Sequence, residues 1–264
     1  MLIPFLSTFL IVGIVTSGLN IKFDRFFTIL LLLFLFKFNI HTSVDVFLWV
    51  ILFGALMILF KNIDKILDLP SSKKKKMFTI IPGLTFIATF IGTYFFIRST
   101  EFVLIVILAI LSILYGIRLI NIHFKKHEMN LQNPNIKIQK ICSLFGPIIS
   151  GFFISFIGTS LKPLKIPFAI KIGKMNLKQV YLGNVLSTFF ASSFAIMWHF
   201  VLSNSITENI FYTNLLLGAG LWTTIHYTSE FTDLFFKDKW KKTFQIIIGL
   251  ALLLVAIKLL ILIK

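Results

Sequence analysis

Side chains able to do chemistry are sparse in this sequence, and the densest set lies in residues 150–167, SGFFISFIGTSLKPLKIP. Gly151, Ser155 and Gly158 recur at helical spacing and make a small face against which another helix can pack closely. Thr159, Ser160, Lys162, Pro163, Lys165 and Pro167 follow. Proline removes a backbone donor and breaks helices, so the spacing predicts a helix ending near Gly158 and another starting beyond Pro163. A break there exposes backbone N–H groups and a helix N-terminus beside a cationic side chain, which suits an anion. Lys162 is the first choice for that charge. In the alternative, Lys162 snorkels to the interface, and Lys165, Lys171, Lys174 and Lys178 mark an amphipathic helix lying along the membrane surface.

The next apolar run carries Tyr181, Asn184, Thr188, Ser192, Ala195 and His199 at steps of three or four, with Ser187 alongside, a single small and polar stripe. Such a stripe lines a water-filled path or forms a seam where two helices exchange hydrogen bonds, and both readings stand. His199, beside Trp198, reads as part of an aromatic belt ahead of a proton relay. His226 and Glu230 are four apart and can pair on one helix. Asp24 and Asp45 sit at the edges of short apolar segments and read as interfacial. Cys142 is the only cysteine, which excludes an intrachain disulfide and a multi-cysteine metal cluster. His127-Glu128 lies in a polar loop and is not read as a metal site. No dinucleotide fingerprint, phosphate loop or HExxH motif is present. No catalytic residue, metal ligand or cofactor is therefore assigned, and an enzyme is not expected.

Membrane helices must position these residues. Hydrophobic residues make up 57% of the chain and charged ones only 14%, where soluble domains approach about 25% charged. A soluble core of this size would not hide 32 Phe, so the apolar surplus must face hydrocarbon. The net charge of +16 does not imply nucleic acid, because the lysines fall between apolar blocks and not along a stripe with stacking aromatics. Lysines so placed set topology and meet anionic lipid. The chain is apolar from Met1 to its first charge at Lys22, so it lacks the basic region of a cleaved signal peptide and starts with a retained membrane segment.

About 20 apolar residues span a bilayer. By that measure there are eight spanning segments, residues 2–19, 44–60, 78–97, 102–120, 142–157, 179–202, 210–228 and 243–263. Residues 26–36 are too short, and residues 162–178 carry five lysines where a membrane segment is expected. Broken or re-entrant segments of this kind are tolerated where protein buries them. Six lysines in residues 61–77, four in 121–141 and four in 237–242 put those loops in the cytoplasm; residues 98–101 and 203–209 are external. The fold expected is all-α and polytopic, with a first repeat (1–120), a cytoplasmic linker (121–141) and a second, inverted repeat (142–264). Phe38-Asn39-Ile40-His41-Thr42 matches Met175-Asn176-Leu177-Lys178-Gln179, and Gly116-Ile117-Arg118-Leu119-Ile120 matches Ala256-Ile257-Lys258-Leu259-Leu260. Inverted repeats are the usual plan of secondary transporters.

The run from Gly158 to Pro167, placed between a small-residue helix and one rich in Ser and Thr, resembles the TauE/SafE family of sulfite exporter-like permeases. That family carries a glycine-rich G-x-G-G-G followed by Pro once per repeat. The likeness covers most of residues 142–263, including Gly183-Asn184-Val185-Leu186-Ser187 and Gly218-Ala219-Gly220; Ser17-Gly18-Leu19-Asn20 stands for the motif in the first half. Ser160, Leu161 and Lys162 replace expected glycines. The resemblance implies a secondary permease in a bacterial inner membrane, exporting sulfite or an organosulfonate with H+ or Na+ as coupling ion. Its partners would be the lipid bilayer and that small anion. The substrate site would comprise Gly158, Thr159, Ser160, Lys162, Asn184, Ser187 and Thr188, with Ser17, Gly18 and Asn20 from the first repeat, and Lys162→Ala would abolish transport without changing protein abundance. The lost glycines motivate the alternative, a non-transporting membrane subunit that holds a protein partner through its basic loops.

Overall fold

In hydrocarbon every backbone N–H and C=O must be satisfied within the protein, and an apolar run achieves that as a helix. The computed structural model describes residues 27–121, 136–203, 207–235 and 238–261. The described elements are α1 (Phe27–Leu35), α2 (Ile40–Lys61), α3 (Ile63–Leu67), α4 (Ser71–Arg98), α5 (Glu101–Asn121) and α6 (Ile136–Ile157). Then come α7 (Lys162–Pro167), running into a π-helical turn Phe168–Ile172, α8 (Leu177–Leu202), α9 (Glu208–Phe235) and α10 (Asp238–Ile261). Five described helices are long and apolar enough to cross a membrane, Ile40–Lys61, Met77–Arg98, Glu101–Asn121, Lys137–Ile157 and Gln179–Leu202, and each covers a span expected from the sequence. The expected span 210–228 falls in α9, and the described part of 243–263 falls in α10, with an apolar run Ile246–Ile261. The expected span 2–19 lies outside the described residues. The 9 described residues of α1 fall within the short segment 26–36.

The chain divides into two compact units, one drawn from Val44–Arg98 and Met129–Ala219, the other from Met1–Ser43, Ser99–Glu128 and Gly220–Lys264. In the first, α4, α6 and α8 pack against one another. Ile81 of α4 joins Leu182 and Leu186 of α8 in a buried cluster with Ile66 of α3. The small face foreseen on α6 is used against α4. A Cβ at Gly151 would lie 2.8 Å from Ala88 Cβ and 3.0 Å from the Thr85 carbonyl oxygen, and one at Gly92 would collide with Ser155 Oγ and the Phe152 carbonyl oxygen. Gly92→Val should therefore destabilise the protein by about 1–3 kcal/mol, because the obstacle is backbone that cannot step aside, and a lowered melting temperature in detergent is the readout. In the second unit α5 and α10 make a similar crossing: a Cβ at Gly116 would sit 2.8 Å from the Gly249 carbonyl oxygen.

One local conformation occurs twice. Lys37 and Lys174 both take left-handed backbone angles, φ 54° and 48°. The next residue reaches back six positions each time, Phe38 N–H to the Leu32 carbonyl and Met175 N–H to the Ala169 carbonyl. Asn39 and Asn176 then accept the first bonds of α2 and α8, from Ser43 and Val180. Each long helix is thus preceded by a short helical segment and the same reversal, at the residues whose sequences match.

Candidate functional site

Helix α6 stops because Gly158 turns into the left-handed region, φ 71°, which costs a residue without Cβ nothing. Gly158 N–H still bonds the Ile154 carbonyl, while Thr159 N–H reaches back to Phe153. Thr159, Ser160 and Leu161 are buried, and Leu161 is itself left-handed, φ 47°. The chain restarts as α7 at Lys162, one residue before Pro163 and not beyond it. Proline is accepted there because the first-turn N–H groups have no intrahelical partner to lose. Pro167 then interrupts the ladder, and the chain widens into a π turn closed by Gly173 N–H to the Phe168 carbonyl at 3.1 Å.

The segment α7 and its π turn folds back along α6 instead of lying on the surface. Lys165 Nζ donates to Ser150 Oγ, a Cβ at Gly173 would meet Cys142, and Gln139 Nε2 donates to the Lys174 carbonyl at 3.4 Å. These pairings run in opposite directions along the two stretches, so residues 162–174 descend beside the first half of α6. Lys165 is only 7% exposed, which an interfacial helix would not require.

Between this segment and the first turns of α4, α6 and α8 lies a cavity of about 370 Å³. Its wall is largely apolar, with Ile81, Phe145, Pro147 and Phe168 among its members, and its polar side chains are Gln139, Lys140, Ser143, Lys165, Gln179, Asn184 and Ser187. That size and that small set of polar groups are typical of a small-molecule site. Of the residues singled out from sequence, Asn184 and Ser187 line the cavity. Gly158, Thr159 and Ser160 form the buried turn above α7, Thr188 is buried one position past Ser187, and Lys162 is half-buried; none of these five touches the cavity. Ser17, Gly18 and Asn20 lie outside the described residues. Ser160 Oγ, Asn184 Oδ1 and Thr188 Oγ1 are buried without a hydrogen-bond partner from the protein. An unsatisfied buried polar atom costs about 1–3 kcal/mol, a cost that a water or ligand would relieve.

The polar stripe on α8 serves both purposes between which the sequence left a choice. At its lower end Asn184 meets the cavity, with Ser187 beside it. Higher up it is a packed seam, where Ser192 and Ala195 are fully buried and Ser192 Oγ donates to the Thr188 carbonyl at 2.9 Å. At the top stands His199, 3% exposed and not in a belt: Nδ1 lies 2.7 Å from Asp45 Oδ1 of α2, and Nε2 lies 2.8 Å from the Ser155 carbonyl oxygen of α6. Phe96 of α4 stacks on the ring at 4.6 Å between centroids. Sequence reasoning treated both Asp45 and His199 as interfacial. The signal available was that His199 continues a stripe whose other members are small. His226 stacks on Trp222, and the Glu230 side chain expected to pair with it lies outside the described residues.

The family model described as Sulfite exporter TauE/SafE matches residues 8–259, nearly the whole chain. The chain belongs to that family. No curated protein and no solved structure matches it. TauE/SafE membership together with the apolar helices makes this a multi-pass membrane protein of a transporter family, with lipid and a small anion as its partners. The turn at Gly158 and the short helix α7 coincide with the stretch that carries the TauE/SafE resemblance, residues 158–167.

Proposed function

We propose that the chain is a secondary permease exporting sulfite or an organosulfonate across a bacterial inner membrane by alternating access. The observation that carries this reading is the cavity walled by α7 and its π turn, where the buried Lys165, a second lysine at Lys140 and several neutral polar side chains meet an apolar wall. An oxyanion fits that combination: Lys165 supplies charge, Gln139 and Asn184 offer amide donors, and Ser187 a hydroxyl. The walls belong to the first turns of α4, α6 and α8, the ends that the loop lysines orient toward the cytoplasm, so this conformation loads substrate from inside. Ser160 and Thr188 serve the anion deeper along its path, where their hydroxyls have no protein partner. The left-handed turn at Gly158 aims α7 at the cavity, and Lys162 adds to the local positive field from outside its wall. Two inverted repeats, residues 1–120 and 142–264 joined by 121–141, give the fold its alternation, a reading supported by the recurring reversal at Lys37 and Lys174.

Thermal stability of the purified protein against sulfite, sulfate, thiosulfate, taurine and sulfoacetate, with a panel of cations as control, tests this. A ligand at a hundredfold excess over Kd adds about 2.7 kcal/mol to the folded state, so the preferred anion should raise the melting temperature while the cations do not. No shift with any anion, joined by co-purification of a stoichiometric partner, would instead favour a non-transporting subunit. The Ser160-Leu161-Lys162 replacement of family glycines is the feature that keeps that second reading in play.

A further inference from the structure

The contacts of His199 fix how many protons the site holds. Both ring nitrogens face acceptors, Asp45 Oδ1 at 2.7 Å and the Ser155 carbonyl oxygen at 2.8 Å. A carbonyl oxygen cannot donate, so Nε2 must carry hydrogen, and a second proton must lie between Nδ1 and the carboxylate. The Ser155 carbonyl is available because the turn at Gly158 diverts Thr159 N–H to Phe153, leaving a last-turn oxygen of α6 without its usual partner. Phe96 stacks on the ring at 4.6 Å between centroids and closes its other side. Asp45 is the charged group that reaches the ring. The other elements around it bring Phe96 from α4, Ser155 from α6, and Phe211 and Asn214 from α9, none of which titrates near neutral pH. Beside the pair, Asp45, His199 and Asn214 share a cavity of about 20 Å³, room for about one water, which gives the proton an acceptor when it leaves.

We infer that His199 and Asp45 form a proton-binding site that couples proton release to the position of the α6 terminus. With two protons held, both contacts stand and the pair is neutral as imidazolium and carboxylate. When one proton passes to water, the ring is left with a single N–H. If it stays on Nδ1, the Nε2 lone pair faces the Ser155 oxygen; if it stays on Nε2, the Nδ1 lone pair faces the carboxylate. Either way one of two short contacts becomes repulsive. The charge-assisted Nδ1 bond to Asp45 is the stronger, so the Ser155 contact is the one released. Ser155 lies three residues before the Gly158 turn from which α7 and Lys165 hang, so the release is passed by chain connection to the anion cavity. That last step rests on the permease reading; the proton site does not.

Two readouts separate them. In the purified protein, nitrogen NMR of labelled histidine, with the His199 signal identified by its loss in His199→Gln, should show both ring nitrogens protonated at the acid end of a pH titration. Nε2 should then lose its proton in a step shared with a shift of the labelled Ser155 carbonyl. Asp45→Asn, which keeps the shape and removes the charge, should uncouple the two signals. A ring that holds one proton throughout, or a Ser155 carbonyl that ignores the step, overturns the proposal even if transport is normal. In vesicles, a gradient of methanesulfonate, a strong-acid anion that carries no proton itself, should drive proton movement in wild type and not in His199→Gln. Anion flux in wild type without proton movement overturns the link from the proton site to the anion cavity, whereas the NMR step without flux of any anion leaves the proton site standing and removes the permease reading.

Discussion

Lys165→Met should abolish anion-dependent stabilisation and transport while the protein accumulates at or above the wild-type level. The Lys165 ammonium is 7% exposed at the cavity wall and bonded to Ser150 Oγ, and methionine nearly matches the volume of the lysine stem. Replacing a buried charge by an apolar group of similar size is often neutral or favourable for folding, so abundance is expected to hold. Affinity is another matter, because truncating one partner of a buried charge-assisted contact costs about 2–5 kcal/mol, or roughly thirty-fold to a few thousand-fold in Kd. Lys162→Ala removes a half-buried charge that does not line the cavity, and a several-fold weakening is expected from the lost field. Both variants are read in the same thermal-shift and vesicle-flux assays. Full anion response in Lys165→Met together with its loss in Lys162→Ala would return the substrate contact to Lys162.

The second large effect falls on stability. Asp45→Ala leaves the buried His199 ring without its carboxylate and should lower the unfolding free energy by about 3–5 kcal/mol, the usual cost of removing one member of a buried pair. His199→Leu should cost a similar amount by stranding the carboxylate. The double variant Asp45→Leu/His199→Leu should recover much of the loss, since an apolar pair needs neither proton nor hydrogen bond. A double-mutant cycle on Asp45→Leu, His199→Leu and the double variant, measured by denaturation in detergent, should give a coupling energy of about 3 kcal/mol or more, since the double variant should lose less than either single one. Strictly additive losses would mean that the two side chains stabilise the fold independently.

Much of the architecture was legible because lipid imposes a simple rule on sequence. The spans 44–60, 78–97, 102–120, 142–157 and 179–202 each emerged as a helix at the expected place, since in hydrocarbon an apolar run has no alternative way to satisfy its backbone. The small face Gly151-Ser155-Gly158 was legible for a similarly local reason. Only a helix without side chains on one side admits a close neighbour, although the identity of that neighbour, α4 through Thr85, Ala88 and Gly92, was not written in the spacing. The helix break was also legible, to within two residues, because glycine and proline act on their own backbone.

What local spacing left open was settled by which elements share a volume. Five lysines between residues 162 and 178 permit either a surface helix or a re-entrant one. The fold packs α7 and the π turn along α6, where they find hydrogen bonds and contacts at Ser150, Cys142 and Gln139. That packing put Lys165 against the cavity and left Lys162 outside its wall. Asp45 and His199 are 154 positions apart, and no pattern in either helix announces the other. The sequence by itself determined a membrane protein of the TauE/SafE family, its helical spans and the place where one of them breaks. These follow from burial and backbone chemistry acting over a few turns. Only the tertiary structure decided which lysine meets the cavity and that a histidine and an aspartate come together, because those outcomes depend on how distant helices cross.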